Sequence, residues 1–131
     1  MGAKNITFMQ ADINNLKPIF SGFDVIIMPD ILNKVTHPRA FLRSIADRMN
    51  PNAILIVATD YKWDVSETPH KYWLGGYKKD GEPVTGLDAL TKVLLENFDS
   101  LRHLQNLTLV QPKISRIKEL RRLEVTVWRK K

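Results

Sequence analysis

The chain has 131 residues, a formal net charge of +6 and no cysteine, with 44% hydrophobic and 26% charged residues. These values are typical of one globular domain, and they exclude disulfide bonds and thiolate metal sites. No apolar run reaches the ~18 residues of a membrane-spanning helix, and the opening MGAKNITFMQADINN lacks the hydrophobic block of a signal peptide. We therefore expect a cytoplasmic protein with a single domain over residues 1–131.

The positive charge is concentrated at the C-terminal end of the chain. Residues 1–112 carry 12 basic and 12 acidic residues, whereas residues 113–131 carry 8 and 2. Such a segment can bind nucleic-acid phosphates, and the candidate contacts would be Lys113, Arg116, Lys118 and Arg121. Neither interleaved aromatic residues nor a nucleic-acid-binding motif accompanies the charge. A solvated strand end is therefore the favoured interpretation.

The first half of the chain predicts a strand followed by a β-α-β unit. NITFMQAD (5–12) is typical of a short strand that ends at an acid. FDVIIMPD (23–30) and NAILIVATD (52–60) are nearly continuous apolar runs, as in parallel strands that are buried on both faces. Between them, HPRAFLRSIADRMNP (37–51) has helical spacing, with Pro38 at the first helical position. We expect the crossover to be right-handed.

The second half predicts a long loop, a helix and two strands. The loop contains WLGGYKKDGEPVTGLDAL (73–90), in which Thr85-x-x-Asp88 has the spacing of a capping box. Apolar spacing then predicts a helix over about 86–98. The final two strands are LQNLTLVQ (104–111) and RLEVTVWRK (122–130). The fold class is therefore α/β, with a mostly parallel sheet and a final antiparallel strand pair.

Three of the predicted strands end at an acid. These acids are Asp12, Asp30 (which follows Pro29) and Asp60. In open parallel sheets, ligands bind beyond the carboxyl ends of the strands, where carboxylates can accept hydrogen bonds from ribose hydroxyls or an exocyclic amine. Aspartate is also common in loops and at helix N-caps. A single aspartate at a strand end therefore does not indicate a site. Three of them at the same end of the sheet favour a ligand site.

Other site chemistries find no support in the sequence. The three histidines, His37, His70 and His103, lack the spacing of metal ligands. No serine lies in a G-x-S-x-G elbow, and none of the six glycines forms a phosphate-binding G-x-G-x-x-G turn.

The strand that ends in QAD, the FDVII strand, the helix end RMNPNA and the strand ILIVATD resemble the later part of class I S-adenosylmethionine-dependent methyltransferases. In RMNPNA, Asn52-Ala53 replaces the Gly-Gly that is usual in that family. The resemblance implies a Rossmann-like fold and S-adenosylmethionine as cofactor. It places Asp12 at the adenine, and Pro29 and Asp30 beside the cofactor.

The segment WLGGYKKDGEPVTGLDAL is similar to one subfamily, the mercaptohistidine N-methyltransferase domains of ovothiol-synthesising proteins. NLKPIFSGFD, HPRAFL and ELRRLEVTVWRK resemble the same domain, so that the similarity extends from about Asn5 to Lys130. The resemblance implies that a neutral imidazole nitrogen of a mercaptohistidine-type substrate accepts a methyl group. The residues that would position the reacting groups are Asp30, Asn33 and Tyr61.

The substrate side of the implied site would come from the long loop. Its candidate residues are Trp63, Trp73, Tyr77, Lys78 and Lys79. The aromatic side chains could wall the substrate ring, and a lysine could pair with its carboxylate. The same aromatic residues could equally form a hydrophobic lid that packs on the domain, and one loop can do both.

The sequence also departs from the family pattern. The class I fold begins with a strand, a glycine-rich turn, a helix and a second strand, and nothing here corresponds to them. We therefore expect a partial domain that is inactive alone. Unpaired strand edges invite new pairing, so we expect either that 6–11 pairs with 23–29, or that a second copy or the upstream part of the domain covers the edge. Asp30 stands where the subfamily would have Asn. A non-catalytic remnant is the alternative function.

Overall fold

The computed structural model describes residues 5–114 and 117–131, apart from the side chains of 106, 109, 111–114 and 117–119. In chain order the elements are β1 (Phe23–Pro29), α1 (Pro38–Asp47), β2 (Met49–Thr59), β3 (Tyr77–Lys79), β4 (Glu82–Val84), α2 (Gly86–Leu94), β5 (Phe98–Ile114) and β6 (Ile117–Lys130). The main sheet has the order β1-β2-β6-β5. β1 and β2 are parallel, and the other two pairings are antiparallel. The predicted α/β class and the final antiparallel pair are confirmed.

The predicted β-α-β unit is formed by β1, α1 and β2. Pro38 opens α1, and the Nδ1 atom of His37 caps it by accepting a hydrogen bond from the Ala40 backbone N–H at 3.2 Å. The chain then turns directly into β2. The pairing with β1 shifts register near Asn52, which has a φ of 66°. Asparagine tolerates this left-handed conformation better than most residues, which explains how it replaces a glycine here.

The segment 5–12, predicted to be a strand, is not one. It pairs with no described strand, so the predicted pairing of 6–11 with 23–29 is wrong. Met9 and Ala11 of this segment line an open apolar cavity of about 460 Å³ that β1 residues also line. The parallel part of the main sheet is consequently one strand pair, smaller than predicted.

The prediction that β1 is buried on both faces is also wrong. Met28 on β1 is only 1% exposed, but its neighbour Ile27 is 60% exposed. The reason is that α1 and α2 pack against the same face of the sheet. Residues of both helices join one core cluster with Leu55 of β2 and Trp128 of β6.

The residues from 63 to 85, which we call the lid, connect β2 to α2. The lid contains the hairpin β3–β4, whose turn residues Asp80 and Gly81 have φ values of 53° and 81°, as two-residue hairpin turns require. Leu74 of the lid is fully buried in the core. At the end of the lid, the Oγ1 atom of Thr85 accepts a hydrogen bond from the Asp88 N–H at 3.1 Å, which confirms the predicted cap. The helix α2 ends at Leu94, four residues before the predicted end at 98.

Candidate active site at the carboxyl ends of β1 and β2

Two of the three strand-end acids meet at the carboxyl ends of β1 and β2, with Arg121 of β6 between them. The Nη2 atom of Arg121 lies 2.6 Å from Oδ1 of Asp30 and 2.6 Å from Oδ2 of Asp60. Its Nη1 atom also donates to Oδ2 of Asp30, and its Nε atom lies 2.9 Å from Oδ2 of Asp60. The side chain of Asp60 is only 3% exposed. We call these three residues the rim cluster.

Arg121 binds three of the four carboxylate oxygens of Asp30 and Asp60. The remaining oxygen, Oδ1 of Asp60, accepts a hydrogen bond from the Lys62 backbone N–H at 3.0 Å. Asp30 is fixed by its backbone as well, since its N–H donates to the Ala58 carbonyl at 2.8 Å. The hydrogen bonds to Asp30, and then those to Asp60, raise the pKa of Arg121 above its ordinary value. The two acids therefore bind a guanidinium rather than stand free for a ligand.

Tyr61 and Asn33, two of the residues predicted to position the reacting groups, carry buried polar atoms without a partner. Neither the hydroxyl of Tyr61 nor the Oδ1 atom of Asn33 has a hydrogen bond with any described residue. Burial of the Tyr61 hydroxyl, and secondarily the charge of Glu124, raises the pKa of the phenol. The Tyr61 ring lies so close to Gly86 that a Cβ there would come within 2.3 Å of it. Because its Oδ1 atom has no partner among the described residues, Asn33 can accept a hydrogen bond from a ligand.

Among the predicted cofactor residues, Asp12 lines a cavity that includes neither Pro29 nor Asp30. Asp12 is exposed, and its Oδ1 atom accepts a hydrogen bond from the Asn14 N–H at 2.9 Å. With Met9 and Phe20 it lines an open cavity of about 490 Å³. Pro29 is the exposed last residue of β1. The assignment of Asp12 to the adenine therefore stays a prediction.

The predicted substrate residues separate into two groups. Trp73 and Tyr77 line one cavity of about 260 Å³, and Lys79 lines an adjoining cavity of about 450 Å³ that also contains Tyr77. Trp63 instead packs against the core, and its Nε1–H donates to the Leu74 carbonyl at 3.2 Å. Lys78 is exposed on the hairpin. Asp30, Asn33 and Tyr61 line neither of these two cavities.

Arg121 is the residue that the sequence interpretation assigned to the wrong environment. It was counted with the basic C-terminal segment, yet its side chain is 13% exposed and bound to two acids. A signal was present in the strand pattern, because Arg121 precedes the buried Leu123 by two residues and alternate residues share a face. The acid partners lie 91 and 61 positions away in sequence, where no spacing rule can find them.

A family model described as a methyltransferase domain matches residues 1–82. None of the curated proteins compared with the chain matches it. Among the described residues, no helix is long and apolar enough to cross a membrane.

Several solved structures share the fold. One is N-methyltransferase NodS from Bradyrhizobium japonicum WM9 in complex with S-adenosyl-L-homocysteine, with a TM-score of 0.54, 15% identity, and coverage of 92% of this chain and 52% of that one. A structure concerned with the conversion of a disulfide bond into a thioacetal group during echinomycin biosynthesis has a TM-score of 0.60 and 14% identity, with 92% and 54% coverage. A SAM-dependent methyltransferase from Methanosarcina mazei has a TM-score of 0.57 and 17% identity, with 92% and 65% coverage.

At these identities the structural similarity establishes the fold alone. The chain spans between 52% and 65% of the length of these three relatives. The family-model match covers more than half of the sequence, from Met1 to Glu82. The chain therefore belongs to the methyltransferase-domain family.

Proposed function

We propose that this chain forms the later part of an S-adenosylmethionine-dependent N-methyltransferase domain whose substrate is a mercaptohistidine-type small molecule. The observation that carries the methyltransferase assignment is the family-model match over residues 1–82. NodS, one of the structural relatives, is an N-methyltransferase bound to S-adenosyl-L-homocysteine, which supports this cofactor class. The substrate class is supported by the resemblance of the WLGGYKKDGEPV segment.

In this proposal the chain's own residues mainly position the reactants. Asp12 accepts a hydrogen bond from the adenine amino group, and S-adenosylmethionine, when bound, supplies an activated methyl group. The Oδ1 atom of Asn33, which is buried without a partner among the described residues, accepts the N–H of a neutral imidazole and so selects its tautomer. The rim cluster keeps the ends of β1 and β2 fixed. This preorganised geometry lowers the entropic part of the activation barrier.

We further propose that the rest of the domain covers the exposed side of β1. Val25 and Ile27 on that strand are 54% and 60% exposed, and such apolar patches are typical of interaction sites. The relatives NodS and the echinomycin-related protein are about twice as long as the part that this chain matches. The isolated chain is therefore inactive in this proposal, and it acts when the remaining half of the domain binds at β1.

Calorimetric titration with S-adenosylhomocysteine tests the proposal. We expect no binding to the 131-residue chain alone, and binding when the chain is extended by an N-terminal methyltransferase half that contains the glycine-rich turn. Asp12→Ala should weaken binding in the extended protein. The extended protein should then methylate a mercaptohistidine, and Asn33→Ala should lower kcat. Absence of binding in both forms would instead favour the alternative of a non-catalytic remnant.

Light scattering distinguishes the two possible covers of the exposed side of β1. A monomeric isolated chain that binds a separately supplied N-terminal half supports the proposed cover. A stable homodimer of the isolated chain that is disrupted by Ile27→Lys would show instead that a second copy covers this side of β1. Ile27→Lys is suitable because the Ile27 side chain is 60% exposed, on the side of β1 opposite the core residue Met28.

Nucleic-acid binding, the other alternative function, loses one of its four candidate phosphate contacts. Arg121 is held by Asp30 and Asp60 in the rim cluster. The side chains of Lys113, Arg116 and Lys118 lie outside the described residues. Retention on nucleic acid that falls steeply with salt, and that is lost when these lysines and Arg116 are neutralised, is what this alternative requires.

A further inference from the structure

Residues of α1, α2 and the lid line a groove. It consists of two adjoining cavities of about 260 and 450 Å³, which share Arg39 and Tyr77 as lining residues. We call it the basic groove after its cationic side chains, which are Arg39, Arg43, Lys71, Lys79 and Lys92. None of the residues of the rim cluster lines it.

The charge of the basic groove is unbalanced. Residues 1–112 contain equal numbers of basic and acidic residues, 12 of each, yet the groove contains five of the basic residues and only two acids, Asp88 and Glu96. Arg43 and Glu96 neutralise each other through a contact of 2.9 Å. Among the lining residues, the other four cations are accompanied by one further carboxylate, that of Asp88. A cavity with this excess attracts an anion.

The wall of the smaller cavity is aromatic and held in place. The Nε1–H of Trp73 donates to the Thr68 carbonyl at 2.9 Å, and Thr68 is fully buried. His70 meets the Trp73 ring edge-on, with ring centroids 4.6 Å apart. Tyr77 lies on β3 opposite Val84, within the hydrogen-bonded hairpin. A rigid aromatic wall of this kind favours a flat ring, because little side-chain entropy is lost on binding.

The hairpin determines which lysine reaches the groove. Alternate residues of a strand point to the same side, so Lys79 shares the side of Tyr77 and Lys78 lies on the other. The cavity lining agrees with this pattern, since it includes Tyr77 and Lys79 and omits Lys78. The turn at Asp80-Gly81, with both φ values positive, holds the hairpin in this register.

We propose that the basic groove binds a small molecule in which a carboxylate or phosphate is attached to a flat ring. The ring packs against Trp73 and Tyr77, and the anionic group pairs with Arg39 and Lys71. Arg39 is central because it lines both cavities, and a guanidinium can donate two parallel hydrogen bonds to either anion. The groove includes Trp73, Tyr77 and Lys79, which the resemblance assigned to the substrate, but neither the rim cluster nor Asn33 lines it. The inference stands on the charge and the aromatic wall of the groove and is tested without methyltransferase activity.

Two-dimensional NMR of the ¹⁵N-labelled chain titrated with phenyl phosphate and with benzoate tests this proposal. We expect saturable shifts of the Trp73 indole N–H and the Tyr77 amide, with inorganic phosphate and phenol each binding more weakly than the combined probe. A preference for phenyl phosphate or for benzoate identifies the anion. Shifts confined to other parts of the chain, or no saturation at millimolar concentrations, would overturn the proposal.

Variants at matched positions separate specific binding from general attraction to a basic protein. Arg39→Gln should weaken binding by about tenfold, as loss of one charge-assisted hydrogen bond predicts. The control is Lys34→Gln, an exposed lysine that lines neither cavity, and it should leave the affinity unchanged. An equal effect of both substitutions would refute the assigned site. The dispersion of the remaining amide signals shows in the same spectra that each variant is folded.

Discussion

The two faces of the main sheet are built from alternate residues of the same strands, yet they differ sharply in burial. On the face that carries α1 and α2, Met28, Leu55 and Trp128 are at most 1% exposed. On the opposite face, Val25 and Ile27 are more than half exposed. We call the first the covered face and the second the open face. Composition does not explain the difference, because both faces of β1 and β2 are apolar.

One end of the open face is buried. Ala58 and Leu123, near the carboxyl end of β2 and on the neighbouring β6, are 8% and 4% exposed. Arg121 lies two residues from Leu123 and binds the acids that follow β1 and β2. The described residues therefore bury the open face at the rim and leave Val25 and Ile27 exposed. Stability of the chain should come from the covered face and the rim cluster.

The largest expected effect is at the rim cluster. Arg121→Leu leaves Asp60, whose side chain is 3% exposed, as an unpaired buried charge, and should lower the free energy of unfolding by about 3–5 kcal/mol. Urea denaturation monitored by circular dichroism measures it. The neighbouring Arg122 is exposed, so Arg122→Leu should change stability by less than about 0.5 kcal/mol. Equal effects of the two substitutions would show that the rim cluster contributes nothing specific.

Core truncation on the two faces should give the next largest difference. Leu55→Ala on the covered face removes a side chain with no exposure and should lower the free energy of unfolding by about 2–5 kcal/mol. Ile27→Ala on the open face should cost less than about 1 kcal/mol. A comparable loss for Ile27→Ala in the isolated chain would mean that the open face is buried in solution, and the loss should then depend on protein concentration.

The outcome for the strands shows what local patterns can and cannot predict. The apolar runs of β1 and β2 predicted both strands correctly, because such runs form strands in many environments. They did not predict that only one face is covered, since that depends on which side each helix crosses and on what lies beyond β1. The failure of segment 5–12 has the same origin: its strand pattern needs a partner strand, and no described strand pairs with it.

The candidate site was predictable to a similar extent. The positions of Asp30 and Asp60 at neighbouring strand ends follow from the parallel pairing of β1 and β2. Their partner Arg121 comes from the last strand, and its approach depends on the sheet order, which places β6 beside β2. Asp12 makes no contact with this cluster, and the segment before it is not a strand. Residues in the β-α-β unit were thus easier to place than those that depend on tertiary order.

The lid belongs to the covered face, and two of its glycines test how tightly it packs there. Gly75 and Gly81 both have positive φ values, of 76° and 81°. A Cβ on Gly75 would come within 2.4 Å of the backbone N of Gly86, the first residue of α2, whereas one on Gly81 meets nothing within 4 Å. Gly75→Ala should therefore cost about 1–3 kcal/mol more than Gly81→Ala, because backbone atoms cannot move aside easily. Equal losses in thermal unfolding would show that the lid is loosely attached.

The smallest effect at neutral pH is expected at Tyr61, which packs against the core of the covered face beside the rim. Its hydroxyl is buried without a partner among the described residues, so Tyr61→Phe removes no described hydrogen bond and should change the free energy of unfolding by less than about 0.5 kcal/mol at pH 7. In alkaline solution the two proteins should diverge. Burial raises the pKa of the Tyr61 phenol, so the fold holds it neutral after the unfolded chain has begun to ionise.

The sign of this divergence follows from proton linkage. A raised pKa in the fold gives stability that is complete below the unfolded value of about 10 and is lost as the pH rises above it, by about 1.4 kcal/mol per pH unit. Urea midpoints measured from pH 8 to pH 11 should therefore fall less steeply for Tyr61→Phe than for the unmodified chain. Parallel decreases would mean that the Tyr61 hydroxyl is solvated, and that the covered face does not extend to the rim.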